Sequence, residues 1–401
     1  MSNIKVVLIS HEFPPFTIGG IANHCYDLAF HLSKSGINTK VICGNLSGFE
    51  KRVKINPLLE VISIPIVNLP PRYLLFQLFN HKKLCDLLSD CDVIHGVNPI
   101  ASLGPALHYR NTNKALIITH HLNELQTLKT FVQIPLSELT LGDISINAIS
   151  FPINDFIEKT WFSIADHIIV PGLSTYEFMC KIHPRSVIKK ISIIYNGINF
   201  EKIEKIIDSF NSANDQDLSI VCFGRLIYHK GIAMFLRNSK TLFSDFPNVK
   251  LKIFGGGPLL PKLVKTIRKN NLIKNVDLMG HVSYKELIMH VSKATVVVFP
   301  TLLEVGPFIS ALEAMACKKP IVAFNFRFNR EFIRHMQTGV LSKPGDMNDM
   351  IDKIELLLTD KKLRRKIGQN AYRYVKEKHN WRFLVREYIK IYEEVLQIKG
   401  K

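Results

Sequence analysis

The chain has 401 residues, 47% of them hydrophobic, and a formal net charge of +18. That length is long for one core, so two domains of about 200 residues each are expected. No apolar run reaches the roughly 18 residues that span a bilayer, the start MSNIKVVLISHEF has no basic region leading into a signal core, and the seven cysteines form no CxxC pair. These features point away from an integral membrane protein and a zinc or disulfide scaffold, and towards reduced thiols in the cytoplasm.

Most of the positive excess follows residue 200, in runs such as KKLRRK and YRYVKEKHNWRFLVREYIK. They read as solvated helix faces, and with no zinc-finger, RNP-like or basic-zipper pattern beside them no nucleic-acid partner is expected.

In chain order, IKVVLIS reads as a buried strand, and the segment GGIANHCYDLAFHLSKSG behind it as a helix with a core stripe of Ile21, Cys25, Leu28, Ala29 and Leu32. Gly19 and Gly20 open that helix, where backbone N–H groups can approach a phosphate. The pair is not GxGxxG, which weakens a dinucleotide-dehydrogenase reading. TKVIC and EVISI continue the strand series. Residues 70–88, PPRYLLFQLFNHKKLCDLL, place Leu74, Leu75, Leu78 and Phe79 on an apolar helix face beside Arg72, Lys82 and Lys83. Core packing is the default for such a face, and a membrane-touching surface is the alternative.

DCD at 90–92 resembles the metal-binding DxD of another transferase fold, but it merely precedes the strand DVIHG, so no metal is assigned to it. ALIITHHLNE ends a strand with His120 and His121, which point to opposite sides if the strand continues. Residues 122–162 are apolar and fit no strand. HIIV and ISIIY complete the first series, and the polar stretch NGINFEKIEKIIDSFNSANDQD marks the boundary. The expected division is a first domain over 1–198, a linker over 199–217 and a second domain over 218–401, with its C-terminal helix free to pack back on the first.

LSIVCF, VKLKIF, NVDLM, TVVVFP and PIVAF restart the alternation of strands and helices, the pattern of parallel sheets covered on both faces. Arg225 and Lys230 in VCFGRLIYHKG follow a strand directly, where two cations can clamp a diphosphate. Gly255, Gly256 and Gly257 in KIFGGGPLLPKL form a second glycine loop. Glu304 and Glu313 in TLLEVGPFISALEAMACKKP are nine residues apart, half a turn out of phase on a helix, so they belong to different elements. With Pro307 in the first helical turn, Glu304 falls in the loop after a strand and Glu313 about two turns into the helix. Loops at the carboxyl ends of strands are where open α/β sheets bind ligands.

The ordered set of motifs resembles the retaining glycosyltransferases of family 4. It consists of the GG loop, T-x-H at Thr119 to His121, NGIN, FGR followed by KG, GGGP, GHVSYKEL and LEAMACKKPIVA. The resemblance implies the GT-B fold, two Rossmann-like domains facing a central cleft. It assigns the donor ribose to Glu313, the donor sugar to Glu304, the diphosphate to Arg225 and Lys230, and the acceptor side to His121, with His120 as alternate. Gly19, Gly20, Gly255, Gly256, Gly257 and Val282 complete the donor set. It further implies a nucleotide-diphosphate sugar as donor, with no other cofactor. Arg225, Lys230 and helix N-termini can stabilise charge on the leaving diphosphate, so no metal is expected, and the basic-apolar stretch at 70–88 with the apolar segment at 122–162 points to a carbohydrate or lipid-linked acceptor and weak contact with the inner face of a membrane.

Two departures stand out. The family spaces its glutamates by eight, which puts Val305 in the acidic place unless the loop has one extra residue. In PIVAFNFRFNREFI, Arg327 and Phe328 replace the usual glycine pair ahead of Glu331. A nucleotide-sugar epimerase and a non-catalytic nucleotide-sugar-binding subunit are the rival readings.

Overall fold

The computed structural model describes residues 4–15, 20–67, 72–121, 125, 128, 131, 132, 141–210, 218–302 and 309–400, with the backbone alone for 72, 73 and 141–149. The chain forms two compact units. One comprises the chain before Ile198 together with Trp381–Lys401, except that Phe131 and Val132 group with the other; the second is Ile198–Asn380.

The first unit is built on an eight-stranded sheet of β1 (Lys5–Ile9), β2 (Asn38–Asn45), β3 (Lys51–Asn56), β4 (Leu59–Pro65), β5 (Val93–Gly96), β6 (Ala115–Thr119), β7 (His167–Val170) and β8 (Ile191–Ile193). Its order is β3-β4-β2-β1-β5-β6-β7-β8, and every pairing is parallel except β3 with β4. The central strands β5 and β6 are buried throughout, as near-continuous runs such as ALIIT require. Helix Gly20–Lys34 lays Cys25, Leu28, Ala29 and Leu32 against one face, while Ile21 remains partly exposed. The apolar stretch that fits no strand contributes the helix Leu141–Ile164, which carries Pro152 inside it.

The second unit holds β9 (Ser219–Phe223), β10 (Lys250–Phe254), β11 (Val276–Gly280), β12 (Val296–Phe299), β13 (Ile321–Phe324) and β14 (Val340–Ser342). All pairings are parallel, in the order β11-β10-β9-β12-β13-β14. Counted from β9 this is 3-2-1-4-5-6, the doubly wound order, and its switch point lies between β9 and β12.

Two boundary expectations are corrected. Residues 199–217 are not a plain linker, because Phe200–Asp208 is a helix whose N-cap Asn199 accepts from the Lys202 N–H at 3.0 Å. Its Phe200 and Ile203 are buried in the core of the second unit. The second unit ends at Asn380 and not at 401, while the packing of the C-terminal helix back on the first unit agrees with expectation. Helix Trp381–Ile398 belongs to the first unit, where Trp381, Tyr388 and Tyr392 are fully buried among residues of β1, β2 and helix Gly20–Lys34. No described helix is long and apolar enough to cross a membrane.

Candidate active site

In the second unit the loops at the carboxyl ends of the strands are knitted backbone to backbone. After β9, the Leu226 N–H donates to the Gly256 carbonyl at 2.9 Å, and the Leu302 N–H, beyond β12, donates to the His229 carbonyl at 2.8 Å. Gly255, at φ 120°, stands where a Cβ would lie 2.0 Å from the Gly224 carbonyl oxygen. Gly231, at φ 67°, would meet the Pro300 carbonyl oxygen at the same distance. Both positions therefore exclude any side chain because a neighbouring loop fills the space. This gives the glycine run a reason that sequence reasoning missed: part of it lets loops pack on each other rather than on a ligand. Gly256 faces the His281 ring and Gly257 the Leu226 carbonyl. Val282 is partly buried in the turn after β11, ahead of Ser283, which caps the next helix by accepting from the Glu286 N–H at 3.2 Å.

Arg225 precedes the short turn Tyr228–Lys230, and Lys230 ends it. Arg225 is exposed and Lys230 partly buried. Desolvation, and then the charge of Arg225, push the Lys230 ammonium down to about 8. His229 between them is driven to about 3, again by burial first and then by the two cations. An anion placed there would relieve both effects. Glu313 lies in helix Ile309–Ala316 after β12 and is only 7% exposed, on a helix whose Ala311, Leu312, Ala314 and Met315 are buried as well. Burial, followed by the Glu313 charge, pushes the neighbouring Cys317 thiol up to about 12. Glu331 occupies a short turn after β13, and its carbonyl accepts from the Tyr374 hydroxyl at 2.8 Å. Glu304, Val305 and Pro307 lie outside the described residues, as does Gly19; Gly20 is the exposed first residue of its helix.

In the first unit the two histidines after β6 part company. His120 is fully buried, edge-on to Phe162 with centroids 5.0 Å apart, and its Nε2 lies 3.8 Å from a Glu158 carboxylate oxygen. His121 is less buried and meets the ring of His24 edge-on, centroids 4.6 Å apart. Behind them runs a chain that the sequence did not reveal. His95 on β5 bonds through Nε2 to the Thr119 hydroxyl at 2.8 Å and through Nδ1 to the Tyr392 hydroxyl at 2.7 Å. Burial holds these imidazoles neutral, with His95 and His120 at about 3 and His121 at about 4. His24 is also well below its ordinary value, through burial and then the neighbouring His121 and His95.

Two family models match in tandem, Glycosyltransferase Family 4 over residues 18–202 and Glycosyl transferases group 1 over residues 203–374. Sucrose-phosphate synthase from Thermosynechococcus elongatus has the same fold, with a TM-score of 0.79 at 19% identity, covering 98% of this chain and 100% of that one. The chain belongs to the GT-B glycosyltransferases. Along its whole length it is similar to an uncharacterized glycosyltransferase of Methanocaldococcus jannaschii, 26% identical over 99% of this chain and 100% of the relative. Anabaena HepE, whose crystal structure is a complex with UDP and glucose, aligns with a TM-score of 0.71 at 15% identity over 96% of this chain and 98% of its own. For a GT-B glycosyltransferase the doubly wound order of the second unit puts Arg225, Lys230 and Glu313 on the loops and helix that follow the switch-point strands β9 and β12.

Proposed function

We propose that this glycosyltransferase moves a hexose from a nucleotide-diphosphate sugar to a carbohydrate or lipid-linked acceptor, with retention of configuration and without a metal. The observation that carries the reading is placement: two cations, exposed Arg225 and partly buried Lys230, stand on the loop that follows β9 at the switch point of the doubly wound sheet, where a diphosphate would meet both charges. As the glycosidic bond breaks, Arg225 and Lys230 stabilise the charge gathering on the leaving diphosphate, the work a metal ion does elsewhere. The buried Glu313 carboxylate accepts from the ribose hydroxyls, and His121, neutral at physiological pH, hydrogen-bonds on the acceptor side. Glu304 takes the donor sugar by family resemblance. No cofactor is needed beyond the donor.

The acceptor proposal draws on helix Arg72–Phe79. Leu78 and Phe79 are 62% and 71% exposed, and Lys82 is exposed on the next helix. Lys83 contributes less than its sequence position suggests, because it pairs with Glu50, which Arg52 also holds. An apolar pair beside an exposed lysine suits shallow, salt-sensitive contact with an anionic inner membrane face, where each basic side chain adds about 1 kcal/mol. A cytoplasmic location fits seven free cysteines.

The deciding experiment offers the protein a panel of nucleotide sugars, reads thermal protection, and then follows transfer and product anomer by NMR with glycan and polyprenyl-phosphate-linked acceptors. Transfer with the donor's anomeric configuration kept supports the reading. Donor turnover without acceptor makes the chain an epimerase, and binding without turnover makes it a binding subunit.

A further inference from the structure

Away from these loops, three metal-ligating side chains meet on the first unit. His81 and Cys85 stand one turn apart on helix His81–Leu87, and His108 comes from helix Leu103–Tyr109. One donor atom from each lies within 4.8 Å of the other two, and Cys85 Sγ is 3.8 Å from His81 Nε2. A tetrahedral zinc site, with Zn–S about 2.3 Å and Zn–N about 2.0 to 2.1 Å, sets neighbouring donors roughly 3.3 to 3.6 Å apart. The His81–Cys85 pair is already close to that spacing, and drawing His108 in requires a movement of about 1 Å. Both imidazoles are exposed while the thiol is buried, so the rings can swing onto the sulfur without disturbing the core.

The helices that carry the donors are fixed by bonds of their own. The Tyr109 hydroxyl donates to the Cys85 carbonyl at 2.8 Å, and the Gly104 N–H donates to Gln77 Oε1 at 2.9 Å. Gln77 in turn donates to the Ile100 carbonyl at 2.6 Å. A Cβ on Gly104 would sit 3.0 Å from His81 Nδ1, so the glycine leaves the imidazole room to turn. Fixed backbones with movable rings are what a site assembled by its ion requires.

We propose that His81, Cys85 and His108 bind a single borderline-soft divalent transition metal, zinc by preference, with water in the fourth position, and that the ion clamps the two helices together. One thiolate and two imidazoles suit zinc and disfavour magnesium and calcium, which take oxygen ligands. Binding forms the metal–sulfur bond and releases the thiol proton to solvent. The expectation of no zinc came from a search for cysteine pairs; here the local spacing is His-x3-Cys and the third ligand comes from another helix. None of the three residues belongs to the donor or acceptor set, so the ion is structural and separate from the proposed metal-free transfer.

The test strips the full-length protein with a chelator, removes the chelator, and titrates with Co²⁺ alone. The expected result is one equivalent bound with a thiolate-to-cobalt charge-transfer band, displaced by Zn²⁺, and a raised unfolding temperature with Zn²⁺. Cys85→Ser should abolish the band. His81→Asn and His108→Asn, both at exposed positions, should each weaken Zn²⁺ binding about tenfold or more while leaving circular dichroism and basal transfer unchanged. Absence of the charge-transfer band, or Zn²⁺ binding unaltered in the His81→Asn/His108→Asn double variant, overturns the proposal.

Discussion

Gly197 and Trp381 are in direct contact in the first unit: a Cβ on Gly197 would lie 2.8 Å from the indole ring. The last residue before the second unit must therefore be glycine for the C-terminal helix to seat. Trp381, Tyr388 and Tyr392 are fully buried along that helix. Trp381→Ala should cost about 3 to 5 kcal/mol of stability in the first unit. Gly197→Ala should also destabilise, and the double variant should lose less than the sum, because the small side chain at 381 removes the clash. Urea unfolding of the four proteins measures this, and strict additivity would show that the two residues do not touch.

The sequence made the strands legible where burial made them apolar, as in ALIIT or TVVVFP. β3 was not legible: KRVKIN is an antiparallel edge with every residue from Lys51 to Ile55 exposed, and its lysines and arginine guard the edge rather than fill a core. β14 is three residues long and gives too short a pattern. Helix Phe200–Asp208 carries Phe200 and Ile203 at helical spacing, yet its charged residues made the stretch read as a linker. The run around WRFLVREYIK was read as a solvated face because of its charges, while Trp381, Leu384, Tyr388 and Tyr392 form a buried stripe within it. Of the candidate site, the placement of Arg225, Lys230 and Glu313 after strands β9 and β12 was legible because each belongs to a local strand-to-helix pattern. His24 and His95 were not, since their neighbours His121 and Tyr392 are remote in the chain and only the folded sheet brings them together.

Glu313→Ala should weaken donor binding far more than it slows a saturated enzyme. Losing a charged acceptor for the ribose hydroxyls removes about 1.5 to 3 kcal/mol, roughly ten- to 150-fold in Kd. Calorimetry with the nucleoside diphosphate reads this directly, and an unchanged Kd would remove Glu313 from the donor site.

Chelation should leave transfer intact. If Arg225 and Lys230 do the work of a metal on the diphosphate, EDTA lowers the unfolding temperature at most, through the separate histidine and cysteine site, and leaves kcat unchanged. Loss of kcat that Mg²⁺ or Mn²⁺ restores would overturn the metal-free reading.

The buried histidines should make the first unit acid-labile. His95 and His120 titrate at about 3 and His121 at about 4 in the fold, against about 6.5 in the unfolded chain. The neutral form is the one the fold accepts, so the stabilisation is complete above about 6.5, where both states are unprotonated. Below that the unfolded chain takes up protons first, and each group removes up to about 1.4 kcal/mol per pH unit down to its folded value. Urea midpoints should therefore fall steeply between pH 6.5 and 4.5. A flat profile over that window would mean that these imidazoles are solvated.

Lys230 supplies a pH signature of opposite kind, in donor binding. Its folded value of about 8 lies below the ordinary 10.5, because burial and Arg225 both oppose the charge. In the free protein the charged form carries its full penalty below about 8, and stability rises with pH between about 8 and 10.5, where the unfolded chain holds the extra proton. A bound diphosphate reverses the preference by placing negative charge beside the ammonium, so binding takes up a proton above pH 8. Nucleotide-sugar affinity should be level from pH 6.5 to 7.5 and then weaken towards about tenfold per unit as pH passes 8. Lys230→Met should bind weakly at every pH and lose the slope, while a native protein whose Kd stays level to pH 9 would place the diphosphate away from Lys230.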